Sequence, residues 1–358
     1  MDEKLNNFEI FTLNYFIIRA SLIGITFNSL VNILKQDCWT IPILSILPGI
    51  IFIIILYEII KYKPNLNISE KILKIFNKKI AKVILFLILV FNFVMTVFNL
   101  LNISIFIQSQ FLNKTPLIII IIMIIITTFY ILTKGISVIA RTSNILFYVS
   151  VFLVIISFIG LIPAFKIENI KPFFTASLSD YSNGISIFCY FNIIPMFMLT
   201  SIPKVTIKKP KIKRVLIISF IISILSIFLI IFQTLATFGY KLTQLYEYPE
   251  FFALKHVSLA NLSSRVESIL ITQLIFDMII YNIFSIYFMN SIIKSTFKIN
   301  KNGLIYLILS IMIIFCTQIV SKYNLLIYRN YASIITFILN TIFITFILIF
   351  YLKIKMRK

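Results

Sequence analysis

The stretch FTLNYFIIRASLIGITFNSLVNIL, Phe11 to Leu34, decides how the rest of the chain is read. It is mostly apolar and about 24 residues long, enough to cross a bilayer core with some tilt at about 1.5 Å per residue. It is also interrupted. Arg19 lies well inside it, Gly24 breaks the run of branched side chains, and Asn14, Ser21, Thr26 and Asn28 add hydrogen-bonding groups. A central Arg costs roughly 2.5–3.5 kcal/mol on insertion scales unless it meets protein or water. The stretch therefore reads as a helix that lines a cavity; a lipid-facing anchor would consist of Leu and Ile alone.

Composition agrees. With 60% hydrophobic residues and 37 Phe in 358, the chain has too little polar surface to clothe a soluble domain of that size. The net charge of +21 could suggest nucleic acid, but the lysines fall in short connections between apolar runs, where they orient the chain. No nucleic-acid site is read here. The acidic N-terminal residues Asp2, Glu3 and Glu9, and the length of the apolar run that follows, argue against a secretory signal. Cys38, Cys189 and Cys316 are isolated, and His256 is the one histidine. No metal site, cofactor or catalytic residue is expected, and no enzyme: the chain offers no nucleophile with its base and no phosphate-binding glycine loop.

Outward from the opening stretch, ten spans are expected, at about 11–34, 40–60, 83–108, 117–133, 142–164, 184–203, 215–240, 267–293, 303–320 and 328–352. Most of the 33 Lys and Arg fall in connections on the side of the N-terminus, notably Lys61 to Lys82 and Lys204 to Arg214. Both termini are therefore expected in the cytoplasm. The chain reads as a single membrane domain, with one repeat at about 10–165 and a second at about 183–353. An odd number of spans in each half sets the halves in opposite orientations. Matching positions look alike: each half has its long connection after its second span, at 61–82 and 241–266. Each also opens on an irregular helix, with Arg19 and Gly24 in the first and Tyr190, Asn192, Pro195 and Pro203 in the sixth. Paired irregular helices in inverted halves point to a ligand site near the midplane, where unwound backbone is tolerated if it lines a cavity. The alternative is an ordinary proline kink.

Further motifs narrow the reading. Gln36-Asp37-Cys38-Trp39 precedes the second span, Thr115-Pro116 opens the fourth, and Lys134-Gly135 is followed by Arg141. The long second-half connection carries Tyr248-Pro249 and Ser264-Arg265-Val266-Glu267. In this order they resemble the permease-like B subunits of spore nutrient germinant receptors, GerAB-like proteins of the amino acid/polyamine/organocation superfamily, over nearly the whole chain. The resemblance implies an all-α polytopic fold with a LeuT-like 5+5 inverted repeat. It also implies assembly with A and C subunits in the spore inner membrane and sensing of an amino acid or similar small nutrient. The chain departs from that family pattern in carrying Asn28 and Ser29 where many relatives have a proline, and Asn192 and Pro195 with no carboxylate at the sixth-span break.

The expected ligand site takes backbone from Gly24, Ile25 and Thr26, and side chains from Asn99, Asn102 and Ile103 on the third span, Tyr190, Asn192 and Ile193 on the sixth, and Asp277 and Tyr281 on the eighth. Asp277 is the carboxylate at depth, with Tyr281 one turn later on its face; a buried pair with Arg19 is the other reading. Gly24 could instead serve close helix packing. Trp39 is expected as an interfacial anchor, with Asp37 capping the second helix. Residues 241–266 suit a short amphipathic helix over the outer mouth or a loop docked on a partner. Function is expected to be nutrient sensing without chemistry. An amino acid or polyamine permease, a water or ion conduit, and a scaffold remain open.

Overall fold

The computed structural model describes residues 4–208, 210–261, 267–299, 301–322 and 341–356. α1 (Asn7–Arg19) begins with a capping box: Asn6 Oδ1 accepts from the Glu9 amide at 2.8 Å, and the Glu9 carboxylate accepts from the Asn6 amide at 2.7 Å. Two otherwise unpaired backbone donors are satisfied. The helix then fails at Leu22–Thr26, where Ile23 (φ −75°, ψ 131°) and Gly24 (φ 74°, ψ −14°) leave helical geometry. It resumes as α2 (Phe27–Leu34), turns at Lys35–Trp39 and continues as α3 (Thr40–Leu44) and α4 (Ile46–Lys61). This run, Asn7–Lys61, is 55 residues. Straight, it would measure about 80 Å against a hydrocarbon core of about 30 Å, so it crosses twice.

The remaining elements follow in order: α5 (Ile68–Ile75), α6 (Lys78–Gln110), α7 (Leu117–Thr133), α8 (Ile136–Leu161), α9 (Leu178–Phe188), α10 (Ile212–Leu245), α11 (Pro249–Asn261), α12 (Glu267–Phe297) and α13 (Asn302–Val320). A helical segment at 341–355 closes the chain. Among the described residues, seven helical runs are long and apolar enough to cross a membrane. The double crossing of the first, the 17-residue α7 and the segment at 341–355 bring these into line with ten spans. Residues 328–340 of the expected tenth span, and Ser264, Arg265 and Val266, lie outside the described residues.

Polarity is arranged as a bilayer requires. Phe86, Ile126, Phe152, Leu225, Ile311 and Phe315 are exposed on the outer faces of their helices, as lipid-facing side chains should be. Polar side chains turn inward instead: Thr12, Asn14, Arg19, Asn99, Asn192, Gln233, Asp277 and Asn282 are buried. At the centre, α1 packs on α8, α10 and α12, while α12 also packs on α6. The first and eighth spans are therefore core elements, and the lipid-facing α7 and α13 lie outside them.

The sixth span also departs from the regular α-helical ladder, while keeping helical dihedrals. After α9 the chain makes a wide turn at Cys189–Ile193 and a tight, 3₁₀-like run at Ile194–Ser201. Pro195, which has no N–H to donate, sits at the join. The paired irregularity expected of the two halves is present, at Leu22–Thr26 and Cys189–Ser201.

Two connections differ from their sequence reading. Residues 61–82 contain α5, opened by a capping box between Asn67 and Glu70; buried Lys71 donates from Nζ to the Ile59 and Ile60 carbonyls at 2.9 and 3.1 Å. Lysine thus caps the end of α4, where unpaired carbonyls gather. Burial lowers its ammonium from 10.5 to about 8, with Glu70 pulling the other way. Asp37 does not cap the second helix. Its carboxylate accepts from the Phe174, Thr175 and Ala176 amides at 2.8, 2.5 and 2.9 Å, which leaves none for α3 or α4. Gln36 Nε2 reaches the Thr175 hydroxyl at 2.8 Å, and Trp39 packs edge-on against Phe173, Phe228 and Phe232. The Gln-Asp-Cys-Trp stretch therefore pins the connection between the two halves.

Candidate ligand site at the helix breaks

The break in the first span comes from its sequence. Gly24 sits at φ 74°, where a side chain would be strained. Space is short as well: a Cβ there would overlap Asn102 Oδ1 and stand 2.7 Å from Tyr248 Cε1. Carbonyls freed by the break are taken up by side chains from other spans. Asn102 Nδ2, on α6, donates to Ile23 O at 2.7 Å, and Asn192 Nδ2, in the sixth-span turn, donates to Ile18 O at 2.7 Å. Thr26 Oγ1 lies between Ser21 O, at 2.8 Å, and Asn192 Oδ1, at 3.0 Å. Asn192 thus ties the irregular turn of the sixth span to the broken first helix.

The other expected residues lie around this junction. Asn99 Nδ2 donates to Met95 O at 3.0 Å, and Asn99 Oδ1 accepts from the Ser21 hydroxyl at 3.1 Å. Tyr190 stacks edge-on against Phe91 and Phe191, and Ile25 packs against their cluster. Tyr281 is placed beside Asn99 and Tyr190. Ile103 and Ile193 are buried in the apolar core. Asp277 lies against the end of α1, where Oδ2 accepts from Arg19 Nε and Nη2 at 3.1 and 3.0 Å. The structure thus has the paired arrangement that the sequence left as its second reading of Asp277.

The far end of the site is covered. Tyr248, just before α11, lies over Gly24; its hydroxyl is 3.2 Å from Asn102 O and 3.4 Å from Asn102 Oδ1. Phe106 and Phe251 flank it, with Phe106 4.6 Å from the Tyr248 ring centroid and 5.6 Å from that of Phe251. Two more ties hold the cover to α2: Asn28 Nδ2 donates to Glu247 O at 2.5 Å, and Gln244 Nε2 to Val31 O at 3.0 Å. In α11, Glu250 is fully buried and neither carboxylate oxygen has a hydrogen-bond partner among the described residues. That burial pushes its carboxyl from 4.5 up to about 8.

On the N-terminal side, by contrast, a cavity of about 1150 Å³ opens beneath the sixth span. Ser201, Tyr287, Asn290, Ser291, Lys294 and Tyr306 line it, and none of the expected site residues does. The sequence carries a signal for it: Tyr287, Asn290, Ser291, Lys294 and Ser295 recur at helical spacing along one face of α12, with Lys298 just beyond its end. The break is thus shut on the Tyr248 side, and the cavity on the N-terminal side reaches the sixth span only at its end, at Ser201, below its irregular turn.

Comparison with known proteins completes the picture. Among curated proteins nothing matches. Solved structures do, at identities that bear on fold alone. A Na+-coupled sialic acid symporter in a substrate-bound outward-open state superposes with a TM-score of 0.63 at 10% identity, over 92% of this chain and 78% of that one. Mhp1, a nucleobase-cation-symport-1 family transporter in a closed conformation with bromovinylhydantoin bound, gives 0.63 at 12%, over 88% and 72%. A manganese transporter of Eremococcus coleocola, in a mutant form, gives 0.60 at 13%, over 96% and 76%. These are transporters, and the shared frame is the LeuT-like fold that the paired breaks imply. The family model for spore germination proteins matches residues 4–325, and on that match this multi-pass membrane chain belongs to the spore germination permease family.

Proposed function

We propose that the chain is the nutrient-sensing membrane subunit of a spore germinant receptor, holding an amino acid or similarly small solute where the first and sixth spans break. It works with A and C subunits in the spore inner membrane, with both termini cytoplasmic. The observation that carries this reading is the Asn192 bridge. One side chain holds Ile18 O and Thr26 on opposite sides of the first break while belonging to the second. A solute that competes for these groups shifts both halves of the molecule together. In this mechanism the ligand favours one packing of the two repeats, and the partner subunits respond to that packing.

Backbone around Gly24 and Ile25 meets the solute's carboxylate, since a half-helix N-terminus presents unpaired N–H groups, while Thr26, whose own N–H is held by Ser21 O at 3.0 Å, flanks the solute. Selectivity comes from Asn99, Asn102 and Ile103, from Tyr190, Asn192 and Ile193, and from Tyr281 with Asp277 behind it. Structural neighbours named for sialic acid, a hydantoin and manganese support a small-solute site on this frame without selecting the solute.

Spores carrying Asn192→Ala, with normal levels of the protein in the membrane, test the proposal. Loss of the response to the native nutrient, with germination by non-nutrient agents intact, is expected; an unchanged nutrient response overturns it. The open cavity on the N-terminal side favours a second reading, a permease that releases its solute there. Uptake of labelled amino acid by the purified chain alone in liposomes would select that reading.

A further inference from the structure

Arg19 is fully buried on the last turn of α1, immediately before the break. Its guanidinium is held by oxygens from three helices. Nε and Nη2 donate to Asp277 Oδ2 on α12; Nη1 donates to the Tyr15 hydroxyl at 2.6 Å and to Ser226 Oγ on α10 at 2.9 Å. The Tyr15 ring also faces the charge, its centroid 5.0 Å from Arg19 Cζ. Two further buried oxygens nearby on α12, Asp277 Oδ1 and Gln273 Oε1, have no hydrogen-bond partner among the described residues.

Stability alone does not explain such a pair. Replacing a buried ion pair by apolar side chains of similar volume is often neutral or stabilising, and both members carry an insertion cost at mid-membrane. The geometry has a more specific meaning. A carboxylate and two hydroxyls, gathered from α1, α10 and α12 around one positive charge, form the set of hard oxygen donors that suits an alkali or alkaline-earth cation. Here the positive charge is covalently part of the chain.

We propose that Arg19 is the resident cation of an oxygen cage formed by Asp277, Ser226 and Tyr15. The native protein therefore takes up no dissolved metal cation at this junction, and removing the guanidinium turns the cage into a site for a monovalent metal ion. The cage joins the end of α1 to α10 and α12 beside the break, so its occupant fixes where the broken helix begins. A fixed occupant makes that geometry independent of external salt.

The test uses the full-length chain and the metal ion alone, so its outcome is independent of the nutrient reading. Thermal unfolding is followed in NaCl and in N-methylglucamine chloride at equal ionic strength. The native protein should unfold at the same temperature in both. Arg19→Ala should unfold earlier but be raised by Na+ by about 3–4 °C at roughly 100-fold above half-saturation. The double variant Arg19→Ala with Asp277→Asn should show no rise, and Arg19→Lys, which keeps the charge, should stay indifferent to Na+. Recovery of folded Arg19→Ala only in Na+ is the same result in stronger form. A Na+-specific rise in the native protein or in Arg19→Lys overturns the proposal. So does a folded Arg19→Ala without one, or an Arg19→Ala that fails to fold in either salt.

Discussion

Adding one methyl group at Gly24 is the sharpest perturbation of the helix break. In Gly24→Ala the backbone must keep φ near 74° with a Cβ, which costs about 1–2 kcal/mol. The new carbon overlaps Asn102 Oδ1 and stands 2.7 Å from Tyr248 Cε1, so both side chains must move. Asn102 then loses its 2.7 Å bond to Ile23 O, leaving a buried carbonyl unpaired at a cost of about 1–3 kcal/mol. Together these cost the fold about 3 kcal/mol; the backbone strain is shared by docked and undocked forms, so the population with Tyr248 docked over the break falls by the second term alone, roughly 5- to 150-fold. Hydrogen exchange of the segment around Tyr248, measured beside thermal unfolding, reads both consequences. Pairing the change with Asn102→Ala removes one of the two clashes, so the double variant should fall short of the sum of the singles by about 1 kcal/mol or more. Additive effects, or native exchange at Tyr248 in Gly24→Ala, would refute the reasoning.

Three other expectations follow from the connections. Glu250 titrates at about 8 in the docked cover and near 4.5 when exposed, so the docked form binds more protons between those values. Docking is therefore strongest at low pH and weakens as pH rises from about 4.5 to about 8, by up to roughly 4–5 kcal/mol; hydrogen exchange of α11 should show this slope, and Glu250→Gln should flatten it. Lys71 runs the other way. Its ammonium is held near 8, below 10.5, so the unfolded state binds more protons between those values and the Lys71→Met comparison should show native stability rising with pH over about 8 to 10.5. Asp37→Ala strips three backbone amides of their acceptor and should cost about 2–4 kcal/mol, seen as a lower unfolding temperature and faster exchange at Phe174 to Ala176.

Much of this architecture is legible before any coordinates. Gly24 and Pro195 mark the two broken helices because each removes something a regular helix needs, a comfortable φ in one case and an N–H donor in the other. Arg19 and Asp277 are conspicuous because charge at that depth demands a partner. What the sequence hides is long-range geometry. That Asn192 would reach Ile18 O, and Asn102 would reach Ile23 O, depends on how spans far apart in the chain pack together. Asp37 looks like a local cap because its residue type and position fit one, and only the path of the inter-half connection brings three amides to it. The cavity on the N-terminal side is half-legible: its polar stripe on α12 is periodic, but the facing wall at Ser201 and Tyr306 comes from other elements.

The central claim is that the junction of the two broken helices selects the nutrient. Its most direct test exchanges Asn99, Asn102, Tyr190, Asn192 and Tyr281 for the residues at the same positions in a family member with a different nutrient preference, and then scores spore germination against both nutrients. The account predicts that preference moves with these five side chains. Spores that keep the original preference, with the exchanged protein present at normal levels and still answering its nutrient, would contradict it.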